Sequence, residues 1–571
     1  LRQENIVEDL NCHRIITSDN YVDVWYRVDE DLQKLTEEIG AECFQVALGG
    51  WGIAYFKVEP EEGVEFYSNS DYVSLPVLFG LSSMSSLDSA GITPIINNKA
   101  LDLTGNGVIV AIIDTGIDYT HEAFINDDNT SKIMSIWDQT VEGNPPMDFL
   151  YGAEYTNLQI NEALKSDNPL SIVPSTDAIG HGTLLAGLAA GKANLQVGFQ
   201  GAAPGADLII VKLKPAKKYL KDFYQINEDA IAFQGNDMSL GLKYVLDKSK
   251  ELNKPIVVLN ALESNAGPHN GSTYKEQIMA KEGTSYGVVI VSVAGNEANS
   301  GHHYHGIFKK DKERINVDLN IAESERGINF SIWSPLPDQV SIELITPSGF
   351  STGPIPFKEN IWQSYIIPTV KTIVHIRYDL IEERTMDELI VVRIEHILPG
   401  IWTLVVHGNI VIVGEFDIYL PIRGFIDEGT SFLKPDPDVT IVNPSSNSGI
   451  ITVGAYNEKT TSIYLPSGRG FTRDDRVKPD IVAPGVNVIG PYPNGEYVKR
   501  SGTSISAAIT AGASAILLEW GIIKGNNPTI NTVALRTYLA RGAKKRNGVV
   551  YPNQEWGYGQ LDLMSTFKKL F

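Results

Sequence analysis

Five runs of this chain are apolar with almost no polar alternation: "VIVAIID" at 108–114, "DLIIVKL" at 207–213, "PIVVLNAL" at 255–262, "VVIVSV" at 288–293 and "IITVGAY" at 450–456. A strand with one wet face alternates apolar and polar residues. A run without alternation needs apolar cover on both faces. Helical patterns at 181–191 and 237–252 fall between these runs and one at 504–519 follows the last, and together they supply that cover. Strand–helix alternation of this kind predicts an α/β fold: a parallel sheet with helices on both faces.

Two regions break the pattern. Residues 1–80 read as a small α+β unit, with strands in "YVDVWYRV" and "CFQVALGGWGIAYFKV" and an amphipathic helix over "DEDLQKLTEEIG". Residues 307–430 carry seven or more alternating stretches, such as "RINVDLNI", "INFSIWS" and "WTLVVHG", without helical period. That spacing predicts a β-sandwich or jelly roll. The expected organisation is therefore an N-terminal unit at 1–88, an α/β domain at 89–306 and 431–571, and an all-β insertion at 307–430.

Among 571 residues the formal charge is −22 and the pI about 4.9. Nucleic-acid binding needs clustered Lys and Arg, so that partner class is excluded. No stretch of 18 or more apolar residues is seen, so no membrane span is expected. The first residues, "LRQENIVEDLNCHR", lack the apolar core of a secretory signal. The two cysteines, Cys12 and Cys43, are expected as buried free thiols, with a single bridge as the alternative.

Chemistry gathers at three places that packing does not require. Asp114 ends an apolar strand, His181 opens a helix of Gly, Ala and Leu, and Ser504 opens another. Ligands of open α/β sheets sit beyond the carboxyl ends of strands. A Ser hydroxyl becomes a nucleophile when a neighbouring imidazole takes its proton, and a carboxylate orients that imidazole. Acyl transfer also builds charge on oxygen, which waiting donors must stabilise. Asn296, just past a buried strand, and the backbone N–H of Ser504 are candidates.

The stretches "AIIDTGID", "GHGTLLAG", "AGNE", "KPDIVAPG" and "SGTS" occur in this order. Together they resemble the subtilisin-like serine proteases. The resemblance implies Asp114 as orienting acid, His181 as base, Ser504 as nucleophile and Asn296 as oxyanion donor. It covers the α/β region from about residue 95 to the end. "LTGNGVIVAIIDTGIDYTHEAF" with "IWDQT", "GNEANSGHHYHG" and "AGASAILLEWG" are similar to the Csp germination-specific proteases of endospore-forming bacteria. That resemblance implies a prodomain over the first 80–90 residues, released by self-cleavage within Leu81–Ser89, and an inserted jelly roll. It also implies a protein substrate, the pro-form of a spore-cortex lytic enzyme, and a spore-associated location. The alternatives are a non-catalytic germination regulator and a subtilase with another substrate.

Departures from the pattern set further expectations. Where relatives carry Ser-Leu-Gly beside the substrate backbone, this chain has Leu262-Glu263-Ser264. Ser264 in place of the Gly is expected to crowd the first substrate pocket, and Glu263 to add charge. The loop after the His181 helix is short, so no strong calcium site is expected there. The His302, His303 and His305 cluster is expected to be structural rather than metal-binding. No cofactor is implied.

Overall fold

The computed structural model describes residues 12–28, 35–36, 39–58, 63–71, 74–79, 87–368 and 371–570. The expected helix over 29–40 and the expected cleavage linker fall largely outside them.

The apolar runs form the middle of a nine-stranded sheet. Ile451–Asn457, Val288–Val293, Ile256–Asn260, Ile109–Asp114, Asp207–Lys212 and Ile133–Asp138 lie side by side, all parallel. Ile481–Pro484 also pairs parallel with Ile451–Asn457. Antiparallel strands, Ala153–Thr156 and Ser462–Ile463, close the two ends. The Ile109–Asp114 strand is buried at every position, as its unbroken apolar run requires.

Helices His181–Ala190 and Thr503–Leu518 cover one face and Gly235–Leu252 packs on the other. The first two helices are made of small residues and are buried throughout, so they approach each other and the sheet closely. The segment Thr503–Ile523 is long and apolar enough to cross a membrane by length and composition. Its apolar window is 94% buried, which makes it the central helix of the fold.

The insertion is a sandwich of a six-stranded and a four-stranded antiparallel sheet. One core joins them, with Phe330, Ile376 and Val392 from the larger sheet meeting Leu319, Ile342 and Trp402 from the smaller. The first of these strands is His303–Ile307 and the last Ser431–Phe432, slightly outside the expected limits. His302 binds Glu297, while His303 and His305 both bind Asp417, so carboxylates use the imidazoles the sequence clusters here.

The N-terminal unit has a three-stranded antiparallel sheet, Tyr21–Arg27, Trp51–Lys57 and Cys43–Val46. Here one expectation is corrected: Cys12 and Cys43 are joined in a disulfide. The reason is local. Cys12 opens a short helix, Cys12–Thr17, that packs on the edge strand opened by Cys43, and their Cα atoms are 5.6 Å apart. That separation suits a bridge.

Candidate active site

Asp114 is the last residue of its strand, at the carboxyl edge of the sheet. Its neighbour Thr115 accepts the N–H of Gly182 at 2.9 Å, which ties the strand end to the start of the His181 helix. That helix begins at His181 itself, after Gly180 with φ +84°. A Cβ on Gly180 would lie 2.2 Å from the Tyr492 ring, and one on Gly182 would lie 2.2 Å from the Gly116 carbonyl. Backbone closeness, not flexibility alone, fixes these glycines.

Asp177 anchors the same turn. One carboxylate oxygen accepts the N–H groups of Ile179 and Gly180, the other the N–H and hydroxyl of Thr183, all within 3.2 Å. Helix starts leave backbone donors unpaired, and a nearby Asp satisfies them. Neither Asp177 nor Thr115 stands out from the motifs alone, although an Asp shortly before a helix is a capping signal.

These constraints bring the three expected residues together. Asp114 Oδ1 lies 2.8 Å from His181 Nδ1, and His181 Nε2 lies 3.3 Å from Ser504 Oγ. All three side chains are buried, with exposures of 1%, 6% and 0%. Asp114 Oδ1 also accepts the N–H of Thr115 at 2.8 Å, which fixes the carboxylate plane. An Asp on Nδ1 sets the tautomer in which Nε2 can take the Ser hydroxyl proton.

Ser504 sits in the first turn of Thr503–Leu518. Its partial positive end, where backbone N–H groups are unpaired, favours nearby negative charge. Asn296 comes to the same place. Its Oδ1 accepts the Thr503 N–H at 3.2 Å, and its Nδ2 faces the two carboxyl oxygens of Glu263 at 3.4 and 3.5 Å. The constellation is thus an acid, a base, a hydroxyl and an amide at one sheet edge, the parts of a nucleophilic acyl-transfer site.

The Leu262-Glu263-Ser264 stretch divides. Leu262 is fully buried in the core under the sheet. Ser264 pairs its backbone with Asn443, and its hydroxyl accepts the Ala266 N–H at 3.1 Å. Glu263 is the member that reaches Asn296. Burial pushes its carboxyl well above the usual range, and the nearby Glu297 adds to this, while Asn296 and Arg423 oppose it.

Fold and site together define a subtilisin-like serine protease. The chain belongs to the subtilase family, which it matches over residues 105–314 and 428–559. It is similar to the structure of the Clostridium perfringens CspB protease, with a TM-score of 0.76 and 34% identity. That match covers 85% of this chain and 96% of the other. It is also 22% identical over 458 residues to a C5a peptidase of Streptococcus pyogenes, covering 72% of this chain and 34% of that protein. The serine protease AprX of Bacillus subtilis is 32% identical over 126 residues, 19% of this chain and 27% of that one. The chain spans about a third or less of the length of these two relatives.

Proposed function

We propose that this chain is a serine endopeptidase that cleaves its own N-terminal region and then activates a protein partner by limited proteolysis. The observation that carries the reading is the Asp114–His181–Ser504 relay. Ser504 Oγ attacks the scissile carbonyl while His181 Nε2 takes its proton. Asp114 stabilises the imidazolium. Asn296 Nδ2 and the Ser504 N–H receive the charge that builds on the carbonyl oxygen. His181 then protonates the leaving amine, and water repeats the sequence on the acyl-enzyme.

The partner we propose is the pro-form of a spore-cortex lytic enzyme, and the location the cortex or coat region of a spore. Support comes from the similarity to the CspB protease, which extends over nearly all of that chain. The N-terminal unit would then act as an intramolecular chaperone and inhibitor.

Purification of the wild type beside Ser504→Ala tests self-cleavage. Two fragments from the first and one intact chain from the second are expected. An intact wild type that also turns over no peptide would favour the regulator reading.

A further inference from the structure

We propose that the inserted sandwich supplies one wall of the trough that receives the protein partner, and that this wall selects an extended partner segment carrying a large aliphatic residue. The proposal rests on the reading of the chain as an endopeptidase and goes beyond it by naming what chooses the partner.

A segment of this chain is already seated there. Leu78–Phe79 pairs antiparallel with Phe233–Gln234, and the Gly235 N–H donates to the Val77 carbonyl at 2.9 Å. Backbone pairing of this kind gives affinity to any extended segment, and selection falls to the places that receive its side chains. Successive side chains point to opposite sides. Val77 is half-buried, whereas Leu78 is 3% exposed. Leu78 joins one apolar cluster with Tyr224 and Ile226 of the α/β domain and Ile422 and Phe425 of the sandwich. A small cavity remains beside Leu78 among these residues, so the place admits aliphatic side chains longer than Leu.

The α/β domain holds this wall in position at the edge of the active site. The loop at 420–425 follows the sandwich strand Glu415–Tyr419. Asn265 Nδ2 donates to the Leu420 carbonyl at 3.2 Å, the Arg423 N–H donates to the Glu297 carboxylate at 3.0 Å, and the Asn227 N–H donates to the Phe425 carbonyl at 2.8 Å. Two of these contacts belong to the site itself. Asn265 lies two residues past Glu263, which faces Asn296, and Glu297 directly follows Asn296. A surface held in this way binds without the cost of being ordered first.

The linker proposed for self-cleavage follows closely on Phe79. Once it is cut, the tail has a free end, and a partner segment can take its place on the same edge. An aliphatic side chain in the Leu78 position covers apolar surface that water otherwise meets. A small side chain leaves that surface bare, and a charged one is stranded in it.

The test uses quenched fluorescent peptides of this chain's own sequence: residues 74–89, the same peptide with Leu78→Ala, and residues 80–89, which lack the trough segment. Self-cleaved wild type is compared with the Ile422→Ala/Phe425→Ala double variant. The two long peptides compete in one tube, so a retained N-terminal fragment slows both alike and leaves the ratio of their kcat/KM values unchanged. We expect wild type to prefer the Leu78 peptide about thirtyfold and to cut 80–89 more slowly than 74–89. In the double variant the preference should fall below about fivefold, because the side chain and its wall act as a pair.

A wild-type ratio near one, or equal cutting of 80–89 and 74–89, overturns the proposal and leaves the peptidase reading standing. An unchanged ratio in the double variant does the same. So does a folded double variant that cuts neither long peptide, since the wall then acts on the relay and not on the choice. A self-cleaved wild type that leaves all three peptides intact also overturns it. An intact wild type that cuts none removes the peptidase reading and the proposal with it. If the double variant does not fold, Phe425→Ala alone decides by the same ratio.

Discussion

Asp177 touches no reacting atom, yet it accepts four hydrogen bonds from the turn that presents His181, and it is 2% exposed. Replacing it with Ala strands backbone donors in a buried site. Each such donor costs about 1–3 kcal/mol, and losses in one network overlap. We expect Asp177→Ala to lose about 3–4 kcal/mol in urea unfolding. We also expect a kcat at least tenfold lower, since small displacements of a base are costly. Unchanged kcat in a folded variant would show that the His181 turn is fixed by Thr115 and the glycines alone. Residues of this kind mark the limit of motif reading. Asp114, His181, Ser504 and Asn296 are legible because their stretches recur as an ordered set. Asp177 is an ordinary capping residue until the structure shows which helix it caps. Glu263 and Ser264 are adjacent and both polar, and only the strand register turns one to Asn296 and the other to its own loop.

Unbroken apolar runs announce buried parallel strands, so the middle of the sheet could be read directly. The end strands Ala153–Thr156 and Ser462–Ile463 are short, and pairing on one side only gives them no such signature. The sandwich was legible from alternation, but its larger sheet is not simply half wet. Gly327–Pro335 and Asp387–Glu395 are buried on both faces, because one face meets the α/β domain, where Arg393 donates to the Phe223 carbonyl, Asp387 binds Arg473 and Gly327 lies against Gln225. Polar residues on such strands must then find partners in the protein. Glu388 is one of them. Fully buried, it accepts the Val340 N–H at 2.7 Å and so joins the two sheets, and burial pushes its carboxyl to about 8, with Asp338 adding. Unfolded, Glu388 releases its proton near pH 4.3, whereas folded it keeps it until about pH 8. Stability is therefore full below the unfolded value and declines as pH rises through that window. Glu388→Gln keeps an acceptor for Val340 and removes the titration. We expect its unfolding free energy to exceed that of wild type at pH 8 by about 2–4 kcal/mol and to match it near pH 4. Parallel curves at both pH values would mean that Glu388 is ionised in the fold.

At the scale of the molecule, three units from distant parts of the sequence are joined by buried charge. Arg473 of the α/β domain binds Asp417 and Asp387 of the sandwich at 2.8 and 2.9 Å. On the other side, Asp23 of the N-terminal sheet is fully buried against the α/β domain. Its carboxylate takes Lys217 Nζ at 2.5 Å, Gln234 Nε2 at 2.9 Å and Asn236 Nδ2 at 2.8 Å. The Asp23 contacts are not legible in the sequence, because an Asp inside "YVDVWYRV" reads as an exposed strand position. Lys217 has a second bond, to the Tyr21 carbonyl, and burial lowers the pKa of its ammonium. Beside these charges Trp51 packs on Tyr274 with ring centres 4.0 Å apart, and the backbone of Leu78–Phe79 pairs with that of Phe233–Gln234. An ion pair in such a place adds little over an apolar pair of the same shape, but removing one partner leaves a stranded charge, at about 3–5 kcal/mol. After the proposed self-cleavage, these contacts should hold the N-terminal unit in place. In the wild type the released fragment should co-elute with the rest of the chain on gel filtration. With Asp23→Ala, Lys217 has lost its countercharge, and the fragment should separate at micromolar concentration. Asp23→Leu combined with Lys217→Met removes both charges and should restore co-elution, which a simple loss of hydrogen bonds could not do. Co-elution of Asp23→Ala at wild-type strength would instead assign the hold to the Trp51–Tyr274 contact and the short strand pair.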